Sequence, residues 1–267
     1  MAKHIAILIH RHGSFDRNTY LLSEVAEVWR QSGLQITVLP GPQPNVTADL
    51  AILHVDLTVA PQDHLDFVNQ FPRAINAGVA DISKRAISSN LVRQGDGYEG
   101  PVILKSDRNS GGFREACLAA KGLMPPCTVF PPARYTIFRS VAAVPPVIWQ
   151  RPDLVVERFL PERSGEFFCL RTWVFLGDKE THSLSFSKKP IVKSSNVVQR
   201  QPLGEVPEEL RQIRQRLKFD YGKFDYCLVD GRPVLYDANR TPTLGRFTPE
   251  EFMPRIRLLA EGIHSFL

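Results

Sequence analysis

Three oxygen-bearing residues near the carboxyl end could bind a divalent cation. Asp237 and Asn239 lie two apart in an extended segment, so their side chains project from one face of a strand. Asp225 lies on the preceding strand, beyond a turn sequence at 230–232. A two-residue turn puts the two aspartates on opposite faces, whereas a longer loop or a bulge puts them side by side. We predict the second arrangement, a site suited to Mg2+; a hairpin with solvent-facing polar residues is the alternative.

A lysine ends an apolar segment and is followed by a glycine loop. Lys105 closes the run Val-Ile-Leu-Lys, and Ser110, Gly111 and Gly112 follow it. Such a lysine could reach a phosphate while backbone N–H groups of the flexible loop cover the same phosphate. An ordinary lysine at a strand end, followed by a turn, is the alternative.

The segment Val-Val-Glu-Arg-Phe-Leu at 155–160 has apolar residues around a charged pair, Glu157 and Arg158, and ends at Leu160. A strand of this kind could offer main-chain groups to an adenine edge and an apolar wall to its ring. Glu166 follows shortly after and could accept hydrogen bonds from ribose hydroxyls. An edge strand with solvated charges is the alternative.

Two further cations could act on the substrate or the triphosphate. Arg171 lies in mid-strand on the same face as Cys169 and Trp173. A charge on an apolar face needs a partner, which is either a phosphate or substrate carboxylate, or a structural ion pair. Lys188 lies in a basic loop that could close over a triphosphate or simply be solvated.

Polar residues also follow strands of the amino-terminal part. His10, Arg11 and His12 come directly after the first apolar run, and Asp56 ends another. Ligands of open α/β sheets bind at the carboxyl ends of the strands, so these residues could hold an acidic substrate. Ordinary loop polarity is the alternative.

Strand and helix patterns place these residues in two parts of the chain. Apolar runs near 5–9, 34–39 and 49–55 alternate with helical spacing over the first eighty residues, which predicts a small parallel sheet covered on both faces. From residue 154 onward strands dominate. We therefore expect an α/β amino-terminal domain joined to an α+β remainder.

The composition narrows the class of protein. The 267 residues are 43% hydrophobic and 23% charged, which is typical of a globular chain. No apolar run approaches the roughly 20 residues of a membrane helix, and the amino terminus is not typical of a signal peptide, so we expect a cytoplasmic protein. The four scattered cysteines indicate reduced thiols. A net charge of +5 suits an anionic ligand, and the dispersed basic residues argue against nucleic acid as a partner.

In their order and spacing, the residues from about 82 to 245 resemble the ATP-grasp superfamily, which includes D-alanine–D-alanine ligase, glutathione synthetase and biotin carboxylase. The matching motifs are 102–105 with 110–112, 155–160, and Asp225 with Asp237-x-Asn239-x-x-Pro242. The resemblance implies a Rossmann-like pre-ATP-grasp domain at 1–80 and an ATP-grasp fold of two α+β subdomains at 81–267. Of the latter, 81–155 is the smaller phosphate-covering part and 156–267 the metal- and nucleotide-binding part.

The resemblance also implies roles for individual residues. Lys84 and Lys105 correspond to the lysines that hold ATP phosphates, 157–160 to the adenine linker and Glu166 to the ribose-binding acid. The implied metal ligands are those named above, with Mn2+ as an alternative to Mg2+. Three departures stand out: Asp237 replaces the more frequent Glu, Lys223 lies where several ligases have Arg, and the region after the glycine loop is short and proline-rich.

The implied activity is an ATP-dependent carboxylate–amine ligase that acts through an acyl phosphate, with Arg171 and Lys223 as catalytic cations. Its partners are a small-molecule or peptide carboxylate and an amine, without nucleic acid or membrane, and a homo-oligomer is compatible with the sequence. A kinase or phosphotransferase with the same nucleotide site is one alternative. A non-catalytic nucleotide-binding protein is the other.

Overall fold

The computed structural model describes residues 3–245 and 249–267, and its strands form three sheets. The first sheet is parallel, with strand order β2-β1-β3-β4. Its strands and the two helices between them are β1 His4–Ile9, α1 Leu21–Gln31, β2 Gln35–Pro40, β3 Leu50–Leu53, α2 Gln62–Val68 and β4 Ala74–Ile75. The small parallel sheet expected from the sequence is therefore present.

Both faces of this first sheet are covered, which explains the unbroken apolar run in β1. Ile5 and Ile7 pack with α1 on one face, while Ala6 and Leu8 pack with α2 residues on the other. A strand buried on both faces cannot alternate apolar and polar residues.

The second sheet is a three-stranded antiparallel sheet with β5 at its centre. Its strands and neighbouring helices are α3 Lys84–Ile87, β5 Val102–Ser106, α4 Phe113–Ala119, β6 Thr136–Phe138, α5 Pro146–Trp149 and β7 Leu154–Arg158. Alternation divides its residues: Val102 and Leu104 face an apolar core, whereas Ile103, Lys105 and Glu157 face the opposite side.

The third sheet is antiparallel and has the order β11-β10-β9-β12-β13, with β8 paired to β9. Its strands and helices are β8 Glu162–Ser164, β9 Phe167–Leu176, β10 Lys179–Ser187, β11 Gln199–Pro202, α6 Glu208–Arg216, β12 Tyr221–Val229, β13 Arg232–Asn239 and α7 Pro249–Glu261. In the described parts of the chain, no helix is long and apolar enough to cross a membrane.

The hairpin of β12 and β13 has a two-residue turn and a compensating bulge. Asp230 and Gly231 both have positive φ, 50° and 78°, which is the backbone of a tight type I′ hairpin turn. The register shifts between Asp225 and Tyr226, so Asp225 lies directly opposite Asp237. The bulge that the sequence required for a shared face is therefore confirmed.

The first and third sheets share one core. Side chains of β1, α1, β9, β12 and α7 pack together, and the indole N–H of Trp29 donates to the Ala260 carbonyl at 2.8 Å. These contacts connect residues on both sides of the predicted domain boundary at residue 80, and the boundary itself stays a prediction.

A fully buried arginine connects the end of β13 to the first sheet. The Arg240 guanidinium donates to the carbonyls of Val55 and Val79 at 2.9 and 2.6 Å, and to that of Leu57. Burial lowers the pKa of Arg240 to about 10, so the group remains charged at neutral pH. These carbonyls lie outside the regular strands, and Arg240 provides hydrogen-bond donors for them.

We expect Arg240→Met to lower the free energy of unfolding by ~2–4 kcal/mol, because it leaves several buried carbonyls without donors. Urea denaturation measures this change. Arg216→Met, at an exposed position on α6, is the matched control and should change stability by no more than ~0.5 kcal/mol. Equal denaturation midpoints for the two variants would contradict the role of Arg240.

Candidate active site

A cleft of about 480 Å3 lies between the second and third sheets. Each sheet contributes the residues that alternate away from its own apolar core. The charged and amide residues that line the cleft include Lys84, Lys105, Asn109, Glu157, Arg158, Lys193, Lys223, Asp225, Asp237 and Asn239. The structure thus brings both predicted phosphate lysines and all three predicted metal ligands into one cavity.

The two phosphate lysines are buried and already paired with acids. Lys105 Nζ donates to Glu157 Oε2 at 2.7 Å and to the Tyr236 carbonyl at 2.9 Å. Lys84, the first residue of α3, contacts Asp237. Burial favours the neutral amine, but Asp237 outweighs it and raises the pKa of Lys84 above its ordinary value. Lys84 therefore remains charged, and both lysines line the cavity.

The candidate metal ligands are also held by neighbours. Asp225 accepts from Thr172 Oγ1 at 2.9 Å and pairs with Lys223 Nζ at 2.7 Å. Burial alone would raise the pKa of Asp237, but Lys84 and Lys223 lower it, so this carboxylate is ionised at neutral pH. Each aspartate thus has a lysine as its counter-ion.

The donor chemistry fits a hard divalent cation. Asp225 and Asp237 oppose each other on one face, and Asn239 lies two residues further along the same strand face. Within residues 3–245 and 249–267 no group of three His, Cys, Asp or Glu is arranged around a metal. Asn239 would complete this set with an amide oxygen, and a cation bound there would compete with Lys84 and Lys223 for the two carboxylates.

The glycine loop has a left-handed backbone that places it beside the cleft. Ser110, Gly111 and Gly112 have φ of 47°, 69° and 80°. A Cβ on Gly111 would lie 2.6 Å from the Phe130 carbonyl oxygen, so that position requires glycine. Ser110 lines the cleft, as does its neighbour Asn109, whereas the two glycines lie behind them.

The predicted adenine linker reaches the cleft only in part. Glu157, Arg158 and Phe159 line it. The Leu160 side chain does not, and its carbonyl instead accepts hydrogen bonds from Cys227 Sγ and the Tyr236 hydroxyl. Side chains of the third sheet therefore already donate hydrogen bonds to that carbonyl.

Glu166 and Lys188 lie away from the cleft. Glu166 follows Gly165 in the tight connection between β8 and β9, and its side chain is 68% exposed. Its closest cation is Lys188, which is equally exposed, at 3.8 Å. The spacing of Glu166 is typical of a ribose-binding acid. However, the residue lies at the tip of a hairpin, and because that tip projects into solvent, the carboxylate lies outside the cleft.

Arg171 also faces away from the cleft. It lies opposite Tyr226 on the core face of the third sheet, while its neighbour Thr172 faces Asp225. The guanidinium forms two-pronged hydrogen bonds with Glu162 at 2.8–3.1 Å, and these raise the pKa of Arg171. The structural ion pair, one of the two alternatives drawn from the sequence, describes this side chain.

The predicted substrate residues of the first sheet separate into two groups. His10, His12 and Asp56 line a second, smaller cavity. Arg11 points elsewhere and pairs with Asp63 at 3.0 Å on the surface.

Two further residues line the main cleft: Tyr135, which sequence reasoning missed, and Lys193, which belongs to the basic loop predicted to close over a triphosphate. Tyr135 lines it from the proline-rich region, and burial raises the pKa of its phenol to about 12 although Lys84 opposes the shift. Lys193 lines it from the loop after β10, and its Nζ donates to the Pro132 carbonyl at 2.5 Å. Tyr135 lies in a proline-rich region and belongs to no recognisable motif, so nothing in the sequence singles it out.

Comparison with solved structures identifies the fold. No protein-family model and no curated protein sequence matches the chain. An ATP-grasp RimK domain protein from Sphaerobacter thermophilus has a TM-score of 0.53 at 16% identity, with 98% of each chain covered. D-alanine–D-alanine ligase from Bacillus anthracis has a TM-score of 0.52 at 11% identity, with 99% of this chain and 96% of that one covered. The ATP-grasp ligase PsnB, in complex with a minimal precursor, has a TM-score of 0.58 at 11% identity, with 98% and 99% covered.

This chain has the ATP-grasp fold. The likeness extends over nearly the full length of each compared chain. The superfamily that the motifs resembled is therefore the one whose fold the chain adopts. The cleft between the second and third sheets contains residues from each of the matching motifs, whereas Glu166 lies outside it.

We expect the lysine counter-ions of this cleft to weaken metal binding. In Lys223→Met, Asp225 no longer holds an ammonium group, so Mn2+ should bind the nucleotide-free protein roughly fivefold more tightly, the equivalent of ~1 kcal/mol. Calorimetric titration with Mn2+ measures the affinity.

Lys179→Met is the control, since Lys179 pairs with Asp178 on the surface, outside the cleft. It should leave the Mn2+ affinity unchanged. Weaker or unaltered Mn2+ binding by Lys223→Met would show that this lysine does not compete with the cation.

Proposed function

We propose that this chain is an ATP-dependent ligase that activates a carboxylate as an acyl phosphate and joins it to an amine. The observation that carries the proposal is the convergence of lysines and opposed aspartates in one cleft of an ATP-grasp fold. Phosphoryl transfer needs positioning and charge stabilisation more than a protein nucleophile. This cleft provides cations and oxygen ligands in that combination.

The nucleotide would lie between the two sheets. Ile103 from the second sheet and Leu170 from the third supply apolar walls on opposite sides of the cleft, as an adenine ring requires. Lys84 and Lys105 would neutralise phosphate oxygens. Their present partners, Asp237 and Glu157, hold the ammonium groups in the cavity before a nucleotide arrives.

Asp225, Asp237 and Asn239 would hold the divalent cation, Mg2+ or Mn2+. Such an ion supplies charge neutralisation and orientation of the phosphate oxygens. A cation held by the two carboxylates would leave Lys84 and Lys223 without their counter-ions. Both ammonium groups would then be available to the phosphates or to the substrate carboxylate, and binding of the substrate carboxylate is the role we assign to Lys223.

The described part of the cleft contains one thiol. Cys169 lines it, but burial raises the pKa of this thiol, with Glu162 adding to the effect, so the thiolate needed for attack is suppressed. A direct attack of the substrate carboxylate on the terminal phosphate agrees with this environment. Arg171 lies on the far face of the third sheet. The cleft lysines and the cation would therefore stabilise the charge on the tetrahedral intermediate.

The test is to incubate the protein with MgATP, hydroxylamine and a panel of carboxylic acids. We expect acid-dependent release of ADP together with a hydroxamate, the product of an acyl phosphate trapped by hydroxylamine. A stable phosphorylated product without hydroxamate would favour a phosphotransferase. Nucleotide binding without any turnover over a broad acid panel would favour a non-catalytic protein.

Asp237→Asn should lower kcat at least ~100-fold, the usual effect of removing one group that stabilises transition-state charge. Asp237→Glu keeps the charge and should retain more activity than Asp237→Asn. Asp178→Asn is the matched control, because Asp178 lies at the exposed turn of the β9–β10 hairpin. Equal kcat values for the Asn variants at 237 and 178 would exclude Asp237 from the reaction.

A cytoplasmic location and an amine as the acceptor belong to the same proposal. The acceptor is tested in the same assay by replacing hydroxylamine with candidate amines and analysing the product by mass spectrometry. Formation of an amide bond would distinguish an amine acceptor from a thiol acceptor.

A further inference from the structure

A groove of about 620 Å3 lies beside β7, at the edge of the second sheet. Its lining comes from α3, from residues 91–94, from the segment 148–151 at the end of α5, and from β7 itself. Among the described residues, none lines both this groove and the main cleft. The groove is therefore separate from the proposed nucleotide site.

The charged side chains of this groove all have the same sign. Within the part of the chain that the structure describes, they are Arg85, Arg93 and Arg151, and no carboxylate belongs to the lining. We call this cavity the arginine groove. A concave surface lined by one sign of charge attracts ligands of the opposite sign, so the groove is suited to an anion.

Two of the arginines are held from behind by aspartates. Arg85 donates from its backbone N–H and its Nε to Asp107 at 2.9 and 3.1 Å, and from Nη2 to the Leu154 carbonyl at 2.7 Å. Arg151 donates from Nε and Nη2 to Asp153 at 2.8 and 2.6 Å. These bonds use two of the five N–H donors of each guanidinium. They also fix its orientation, so less conformational entropy is lost when an anion binds.

The guanidinium groups are accessible to a ligand. The Arg85 side chain is 52% exposed and the Arg151 side chain 43%. Arg93 is exposed as well, and its side chain forms no ion pair with residues 3–245 or 249–267. Asp96 accepts only from the backbone N–H of Arg93, at 3.3 Å. An anion in the groove would supply the counter-charge that this third arginine lacks.

Apolar side chains form the rest of the groove. Ile148, Trp149 and Leu154 line it, and Trp149 is half-buried. The face of an indole ring packs against aromatic or aliphatic groups. At ~30 Å3 for each water molecule of the liquid, the groove corresponds to roughly twenty waters. It therefore has room for an organic group beside the anion.

The number of arginines favours a phosphate over a carboxylate. A carboxylate has two oxygens, which one two-pronged guanidinium already engages. The phosphate of a monoester has three terminal oxygens and a charge of about −1.5 to −2 at neutral pH. Such a group can accept from three guanidinium groups at once, and three line this groove.

We propose that the arginine groove binds a small phosphate monoester with an aromatic or aliphatic organic part. The phosphate accepts hydrogen bonds from Arg85, Arg93 and Arg151, and the organic part packs on Trp149. The site goes beyond the ligase activity and does not depend on it. Consecutive residues of α3 serve the two sites, since Lys84 lines the main cleft and Arg85 the groove.

The fluorescence of Trp149 reports the groove directly, because the other two tryptophans, Trp29 and Trp173, are buried elsewhere. The experiment titrates phenyl phosphate into the full chain in the presence of saturating MgADP, which keeps the probe away from the lysines of the main cleft. We expect a saturable change in fluorescence. Inorganic phosphate and benzoate should each bind at least ~fivefold more weakly, and benzyl alcohol should give no change.

Two variants test the cations, and a third is the matched control. Arg93→Gln removes the charge without a partner and should weaken phenyl phosphate binding at least ~fivefold. Arg151→Lys keeps the charge but loses the planar fork, so it should also bind the probe more weakly. Arg216→Gln, on α6 and outside both cavities, should bind as the wild type does. All three positions are exposed, so the variants should keep the wild-type denaturation midpoint.

Trp149→Phe locates the signal. Calorimetry should still detect phenyl phosphate binding to this variant, while the fluorescence change should disappear. A fluorescence change that survives in Trp149→Phe would show that the probe binds elsewhere.

Three further results would overturn the inference: no fluorescence change with phenyl phosphate, equal affinities for benzoate and phenyl phosphate, or an unaltered affinity in Arg93→Gln. The Trp149 signal reports the groove whether or not the main cleft binds ADP. Absence of hydroxamate in the ligase assay would thus remove the proposed function and leave the arginine groove in place.

Discussion

The arrangement of the main cleft and of the smaller cavity lined by His10 and Asp56 depends on the hydrogen bonds that the Asp56 carboxylate accepts. It follows β3 of the first sheet and accepts hydrogen bonds from Tyr20 before α1, from Asn109 and Arg114 around the glycine loop, and from Thr241 after β13. Three segments distant in sequence thus donate to one half-buried acid. Such a network is stable only when every member is satisfied. The network therefore fixes the position of the glycine loop relative to β13, the strand that carries Asp237 and Asn239.

The main cleft keeps its charges in pairs before any ligand binds. Lysines contact both aspartates of the predicted metal set, and Glu157 holds Lys105. Unpaired charges at these depths would be costly. Because each of these groups already has a partner of opposite charge, a cation or nucleotide that binds would exchange partners with the protein. Binding of the two is therefore expected to be interdependent.

Periodicity and register explain what the sequence could predict. The apolar run in β1 indicated a doubly covered strand, and the shared face required for Asp225 and Asp237 indicated either a longer loop or a bulge, of which the bulge is present. The side on which Arg171 lies could not be predicted, because alternation fixes relative faces along one strand but not which face of a sheet meets the cleft. Glu166 had suitable spacing, yet a two-residue hairpin tip turns it to solvent. The place of Tyr135 depends on contacts between distant segments.

The close approach at Gly111 also bears on the shape of the main cleft. Its backbone abuts the Phe130 carbonyl, and its own carbonyl accepts from the Phe130 N–H at 2.9 Å. The glycine loop and the proline-rich stretch therefore form one wall of the cavity, and Lys193, which donates to the Pro132 carbonyl, joins that wall to the loop after β10. A side chain at position 111 would separate the two segments and so move Ser110 and Tyr135 relative to each other.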